Sequence, residues 1–108
     1  MSFKLKIRKV GTVPVLVISG DVTGSNVGKI SIKLESIRTS FSGKAAIDLS
    51  GTTFIDSHGL GVLVFFHRRF SEENRQLVFL SPSEFIMDLF MGANLTKIFA
   101  IINNKEQL

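Results

Sequence analysis

The segment Asp56-Ser57-His58-Gly59-Leu60-Gly61 places a carboxylate, a hydroxyl and an imidazole side by side. Such a set could serve nucleophilic catalysis, metal binding, helix capping or phosphate acceptance. Catalysis fits the spacing badly. His58 is adjacent to Ser57 and poorly placed to act as its base. His67 lies about 15 Å further on by helix rise. A triad needs hydrogen-bond contact, so a serine hydrolase is disfavoured. A metal site from Asp56, His58 and His67 is disfavoured on similar spacing grounds. No metal and no cofactor are expected from these residues.

Capping and phosphate acceptance fit better. Asp56 and Ser57 are both good helix N-cap residue types, because a side-chain oxygen can accept from free backbone N–H groups. A helix N-terminus carries partial positive charge and would tolerate a phosphate on Ser57. Gly59 and Gly61 remove side chains beside the serine, so another protein could approach closely. They also cost about 1 kcal/mol each in helix propensity relative to Ala. On residue physics alone, an ordinary cap with packing glycines remains the simpler account.

The elements that must position this segment alternate in type. Phe3 to Val10 alternates apolar and basic residues, which predicts a strand with one wet face near a sheet edge. Gly11-Thr12 suggests a tight turn. Val13 to Ser19, apolar on both faces, predicts an interior strand with Pro14 near its start. Gly20 to Ser25 reads as a loop. Val27, Ile30, Leu34, Ile37 and Phe41 fall at helical spacing, and Gly43 ends that unit. Ala45 to Leu49 predicts a short buried strand, followed by a short loop. Ser57 to about Glu73 predicts a helix, apolar in its first half and therefore mostly buried at its start.

Gln76 to Leu80 predicts another short strand. Ser81-Pro82-Ser83-Glu84 has a capping-box spacing, with Pro82 at the first helical position. That helix runs to about Met91, with Gly92 as its stop. Ile98 to Ile102 predicts a final strand. The polar tail Asn103 to Leu108 reads as frayed or as one added helical turn. The order ββαβαβαβ indicates an α/β fold with a mixed sheet of about five strands and helices packed on it.

Bulk properties narrow the class. The 108 residues suit a single domain spanning 1–108, and 44% of them are apolar. No cysteine is present, which removes disulfides and thiolate metal sites and suits a reducing cytoplasm. The longest apolar run, Gly59 to Phe66, is far short of the roughly 20 residues that span a bilayer. The N-terminus lacks the continuous apolar stretch of a signal peptide. The formal charge is +4, but the basic residues are dispersed and form no nucleic-acid-binding motif. A cytoplasmic location, no membrane insertion and no direct nucleic-acid contact are expected. An acidic protein partner would fit the charge.

The stretch from Ala46 through Leu63, with Ile47-Asp48-Leu49 ahead of Asp56-Ser57-His58-Gly59-Leu60-Gly61, resembles the signature of the STAS domain family. It looks most like bacterial anti-sigma factor antagonists, and the resemblance covers nearly the whole chain. Val17-Ile18-Ser19-Gly20-Asp21, Leu77-Val78-Phe79-Leu80 and Leu95-Thr96-Lys97-Ile98-Phe99 are similar to other family segments.

The resemblance implies a partner-switching phosphoprotein that regulates transcription and is itself no enzyme. Ser57 would be the phosphoacceptor for a serine-kinase anti-sigma factor, and a metal-dependent serine/threonine phosphatase would reset it. Asp21, Thr23, Asp56, Ser57, His58, Gly59, Leu60 and Gly61 would meet the partner. Two positions depart from the family pattern. Thr23 replaces a usual acid, and His58 stands where a small residue is common. An imidazole there could tune docking or respond to pH near neutrality, although a solvent-facing histidine is the simpler account. The family also includes accessory subunits of membrane lipid transporters, in which Ser57 would be only a contact residue; a phosphoswitch in a larger sensory assembly that controls something other than a sigma factor is a further alternative.

Overall fold

The computed structural model describes residues 2–108. The first two strands, β1 (Lys4–Val10) and β2 (Val13–Val22), form a hairpin around Gly11. Gly11 has φ +62°, a left-handed conformation that glycine adopts without a Cβ penalty. Helix α1 (Val27–Ser40) leads to β3 (Ala45–Ile55), and α2 (Ser57–Glu72) leads to β4 (Leu77–Leu80). Helix α3 (Glu84–Gly92) precedes β5 (Ala100–Ile102), and a short 3-10 turn covers Lys105–Gln107. The sheet runs β1-β2-β3-β4-β5, antiparallel at β1 and parallel elsewhere. This is the expected ββαβαβαβ order. The lysines of β1 stand on an edge, where charge discourages pairing with another sheet.

All three helices share one face of the sheet. Ile30 and Leu34 of α1, Phe66 and Phe70 of α2, and Phe90 of α3 belong to one buried cluster with Ile47 and Phe79. The opposite face holds a smaller cluster of Val15, Ala46 and Val78, against which Leu108 packs. Phe79 stacks on Phe99 at 4.1 Å between ring centroids, and Phe90 meets Phe99 edge-on at 5.3 Å. These contacts fix the turn that leads into β5.

Two strands are longer than their sequences suggest. Beta-2 continues through Gly20-Asp21-Val22 and β3 through Ser50 to Ile55, across both expected loops. The two extensions pair with each other as far as Val22↔Ile55, with register shifts at Val17/Ser19 and Gly20/Asp21. The polar residues are accommodated individually. The Thr52 hydroxyl is buried and donates to the Ile18 carbonyl at 2.8 Å. Gly20 adopts φ +93°, and a Cβ there would lie 3.0 Å from the Ser2 carbonyl oxygen. Cross-strand pairing thus outweighs the local turn tendency of these residues.

Other boundaries move for local reasons. Ser83, not Ser81, caps α3, accepting from the Ile86 N–H at 3.2 Å. Ser81 takes φ +56° and donates its hydroxyl to the Asn103 carbonyl, so Pro82 precedes the helix. Gly92 lies inside α3, and Asn94 at φ +59° makes the left-handed exit. Ile98 and Phe99 turn back onto Leu95, which shortens β5 at its start.

Candidate functional site

The site forms where β3 passes directly into α2. Asp56 is extended, at φ −86° and ψ −177°, and is the N-cap of α2. Its Oδ1 accepts the Gly59 N–H at 2.9 Å, and its Oδ2 accepts the Gly24 N–H at 3.0 Å. Its own N–H donates to the Val22 carbonyl at 2.9 Å. One residue therefore joins the end of β2, the β2–α1 loop and the first turn of α2. The Gly59 N–H chiefly holds the Asp56 carboxyl below the usual carboxylate range. Burial opposes this, while the Gly24 N–H and nearby His58 reinforce it.

Ser57 is the first residue of α2, and its side chain is exposed. With Asp56 as the cap, the Ser57 hydroxyl is not needed to satisfy the helix end. His58 is exposed as well, its side chain at 72%, with Nδ1 3.8 Å from Asp56 Oδ2. Its ring lies over Gly24, where a Cβ would come within 3.2 Å of Nδ1. The histidine thus faces solvent on one side and the β2–α1 loop on the other.

Sequence spacing suggests equal roles for the two glycines, and the structure separates them. Gly61 is exposed, and a Cβ there would meet no atom within 4 Å. Gly59 is buried, and a Cβ there would stand 2.7 Å from both Ile55 Cγ2 and Val22 Cγ1. Gly59 lets α2 close onto the strands and cannot present itself to a partner. Only Gly61 leaves open space beside Ser57. Leu60 is half-buried next to it.

Asp21 and Thr23 are brought to this same end. Asp21 is exposed, and its Oδ1 accepts the Thr53 hydroxyl at 2.5 Å. The Thr23 hydroxyl pairs with Ser25 Oγ at 2.8 Å, and its N–H donates to Asn26 Oδ1 at 2.9 Å. Asn26 in turn donates to the Asp21 carbonyl. The Asn26 side chain is thereby committed to the loop, which explains why α1 begins without a side-chain cap. Sequence spacing missed the clasp between Asp56 and Gly24, which are 32 residues apart.

Two other polar residues lie elsewhere. Asp48, within the signature strand, is buried on the sheet face away from the helices. It binds the Arg8 guanidinium at 2.8 Å and accepts the Ser50 N–H. His67 packs 5.5 Å from the Phe99 ring. Among the described residues no cluster of three or more His, Cys, Asp or Glu could hold a metal. No helix among them is long and apolar enough to cross a membrane.

The family model described as "Mlab, STAS domain" matches residues 5–102. The chain belongs to the STAS domain family. Solved STAS structures share its architecture. An anti-sigma factor antagonist from Mycobacterium paratuberculosis superposes with a TM-score of 0.87 at 17% identity, covering 98% of this chain and 90% of that one. The anti-sigma factor antagonist SpoIIAA in its unphosphorylated form gives 0.79 at 17% identity, covering 96% and 92%. The Bacillus cell fate determinant SpoIIAA in its phosphorylated form gives 0.72 at 18% identity, covering 98% and 96%. These similarities show the fold; in this chain Ser57 stands at the β3–α2 junction.

Proposed function

We propose that this STAS domain is an anti-sigma factor antagonist whose binding to a serine-kinase anti-sigma factor is switched by phosphorylation of Ser57. The observation that carries the reading is the placement of Ser57. It is exposed at the first position of α2, its helix end is already capped by Asp56, and Gly61 leaves space beside it. A hydroxyl released from capping and open to solvent can enter a kinase active site. The likeness to SpoIIAA, solved in unphosphorylated and phosphorylated forms, supports the same reading.

In this account the partner supplies ATP and catalysis, and this chain supplies only the serine hydroxyl. The γ-phosphoryl group moves to Ser57 Oγ, the hydroxyl proton leaves to the kinase, and ADP departs. The unphosphorylated domain docks through Asp21, Thr23, Asp56, Ser57, His58, Leu60 and Gly61, and Gly59 acts indirectly by seating α2. Docking frees a sigma factor in the cytoplasm, so transcription is altered without this chain touching nucleic acid. A phosphoserine adds about −1.5 to −2 charge to the contact surface and weakens the complex by repulsion and desolvation. A serine/threonine phosphatase restores the binding form.

Binding of the kinase to variants tests this switch. Ser57→Ala keeps wild-type affinity, whereas Ser57→Asp loses at least about tenfold, or 1.4 kcal/mol. Equal affinity of the two variants sinks the charge switch. It would leave Ser57 as a contact residue of a non-switching accessory subunit.

A further inference from the structure

The positive charge of this chain is unevenly placed. Residues 1–34 hold the basic side chains Lys4, Lys6, Arg8, Lys9, Lys29 and Lys33 and a single acid, Asp21. They carry +5 in a chain whose formal charge is +4, so the remaining residues together carry −1. The sequence spreads these cations, and the fold gathers them. Phe3 and Leu5, at the start of β1, and Lys29, Ile32 and Lys33 of α1 line one groove of about 320 Å³. Phe3 and Leu5 turn toward the helices, so Lys4 and Lys6 leave the other face of the sheet. Lys4, Lys6, Lys29 and Lys33 are exposed, and none of them joins an ion pair among the described residues. Arg8 is taken by Asp48, and Lys9 rests over the Phe41 ring.

The strand between these lysines is an open edge. Beta-1 is the terminal strand of the sheet and pairs only with β2. All seven of its residues keep one register, with no bulge and no proline. Its outward N–H and C=O groups have no backbone partner among the described residues. An edge this regular is a template for another strand unless charge guards it. The lysines bar a second copy of the same edge, because like charges would meet. They do not bar an acidic strand. Beside the edge, Phe3, Leu5 and Ile32 make the groove apolar, and Ile32 is 71% exposed.

We propose that the outer edge of β1 is an interaction surface that takes an extended acidic segment of a partner protein as an added strand. Backbone hydrogen bonds supply the pairing, and alternate side chains supply the selection. On the helix side the added strand carries apolar residues, which enter the groove beside Ile32. On the other side it carries acids, which face Lys4 and Lys6. Lys29 and Lys33 draw further acids to the rim of the groove. An anionic membrane fits less well. A membrane-binding surface turns its cations and apolar side chains to one plane. These lysines leave both faces of the sheet, with the strand edge between them. The surface does not depend on Ser57, which lies at the β3–α2 junction.

The test follows the isotope-labelled chain by two-dimensional NMR while synthetic peptides as long as β1 are added. One peptide alternates valine and glutamate. The other has the same composition, with its valines and glutamates in separate blocks. The alternating peptide should shift the amides of β1 and of Ile32 and show cross-strand contacts to β1. The block peptide should bind at least about fivefold more weakly. Lys29→Glu combined with Lys33→Glu should weaken the alternating peptide about fivefold, a deficit that shrinks at high salt. Ile32→Ser, which leaves every charge in place, should weaken it about threefold. Lys97→Glu combined with Lys105→Glu, exposed and outside the groove, should match the wild type. Thermal melting checks that each variant folds. No amide shift at about millimolar peptide, shifts confined to other elements, or equal binding of the two peptides overturns the proposal. Binding to phosphatidylglycerol vesicles through Lys29 and Lys33, without binding of the alternating peptide, also overturns it and assigns the edge to a membrane.

Discussion

The Asp56 carboxylate holds the Gly24 amide at 3.0 Å while it caps the Gly59 amide at 2.9 Å, so one side chain clasps the β2–α1 loop to the start of α2. The residue before Ser57 is therefore the part that sets the geometry around it. Ser57 is left free because its neighbour does the capping.

The clasp has a pH signature. The Asp56 carboxyl is held below its ordinary value, chiefly by the Gly59 N–H. A depressed folded-state pKa contributes stability above the unfolded value, about pH 4, and that contribution is lost as pH falls through the folded value. Urea denaturation of wild type and Asp56→Ala should show the variant less stable at pH 6. The difference should narrow below pH 4. A difference that stays constant from pH 6 to pH 2.5 would contradict the assigned carboxylate role.

The two glycines beside Ser57 should respond to the same substitution with opposite signs. Gly59→Ala drives a methyl to within 2.7 Å of Val22 and Ile55 and should cost about 1–3 kcal/mol. Gly61→Ala meets open space and should stabilise the helix by up to about 1 kcal/mol. Chemical denaturation of the two variants checks both values. Equal effects would show that α2 does not close onto the strands as described.

Much of this fold was legible from residue pattern, because each element carries its own period. The alternation of Lys4 to Arg8 marked an edge strand, and the spacing of Val27 to Phe41 marked α1. The extensions of β2 and β3 were not legible. Gly20-Asp21 and Ser50-Gly51-Thr52-Thr53 look like turns and become strand only by pairing with each other. The buried Thr52 hydroxyl needs Ile18 from a distant strand before its polarity makes sense. Ser81 illustrates the same limit at short range, since its spacing to Glu84 imitates a capping box that Ser83 supplies instead.

The site was legible as a motif but not as a mechanism of positioning. Asp56 and Ser57 both suit an N-cap, and only the geometry assigns the cap to Asp56 and frees the serine. Gly59 and Gly61 are equivalent in sequence and opposite in environment. The apolar first half of α2 suggested burial, but a helix resting on one side of a sheet leaves its other face in water. That is why Phe65 is exposed.

The most direct measurement concerns Ser57 itself. Incubation of the chain with its cognate kinase and ATP, followed by mass spectrometric mapping, should place a single phosphoryl group on Ser57 and none on the Ser57→Ala variant. Phosphorylation of Ser57→Ala to the same extent as wild type would contradict the account.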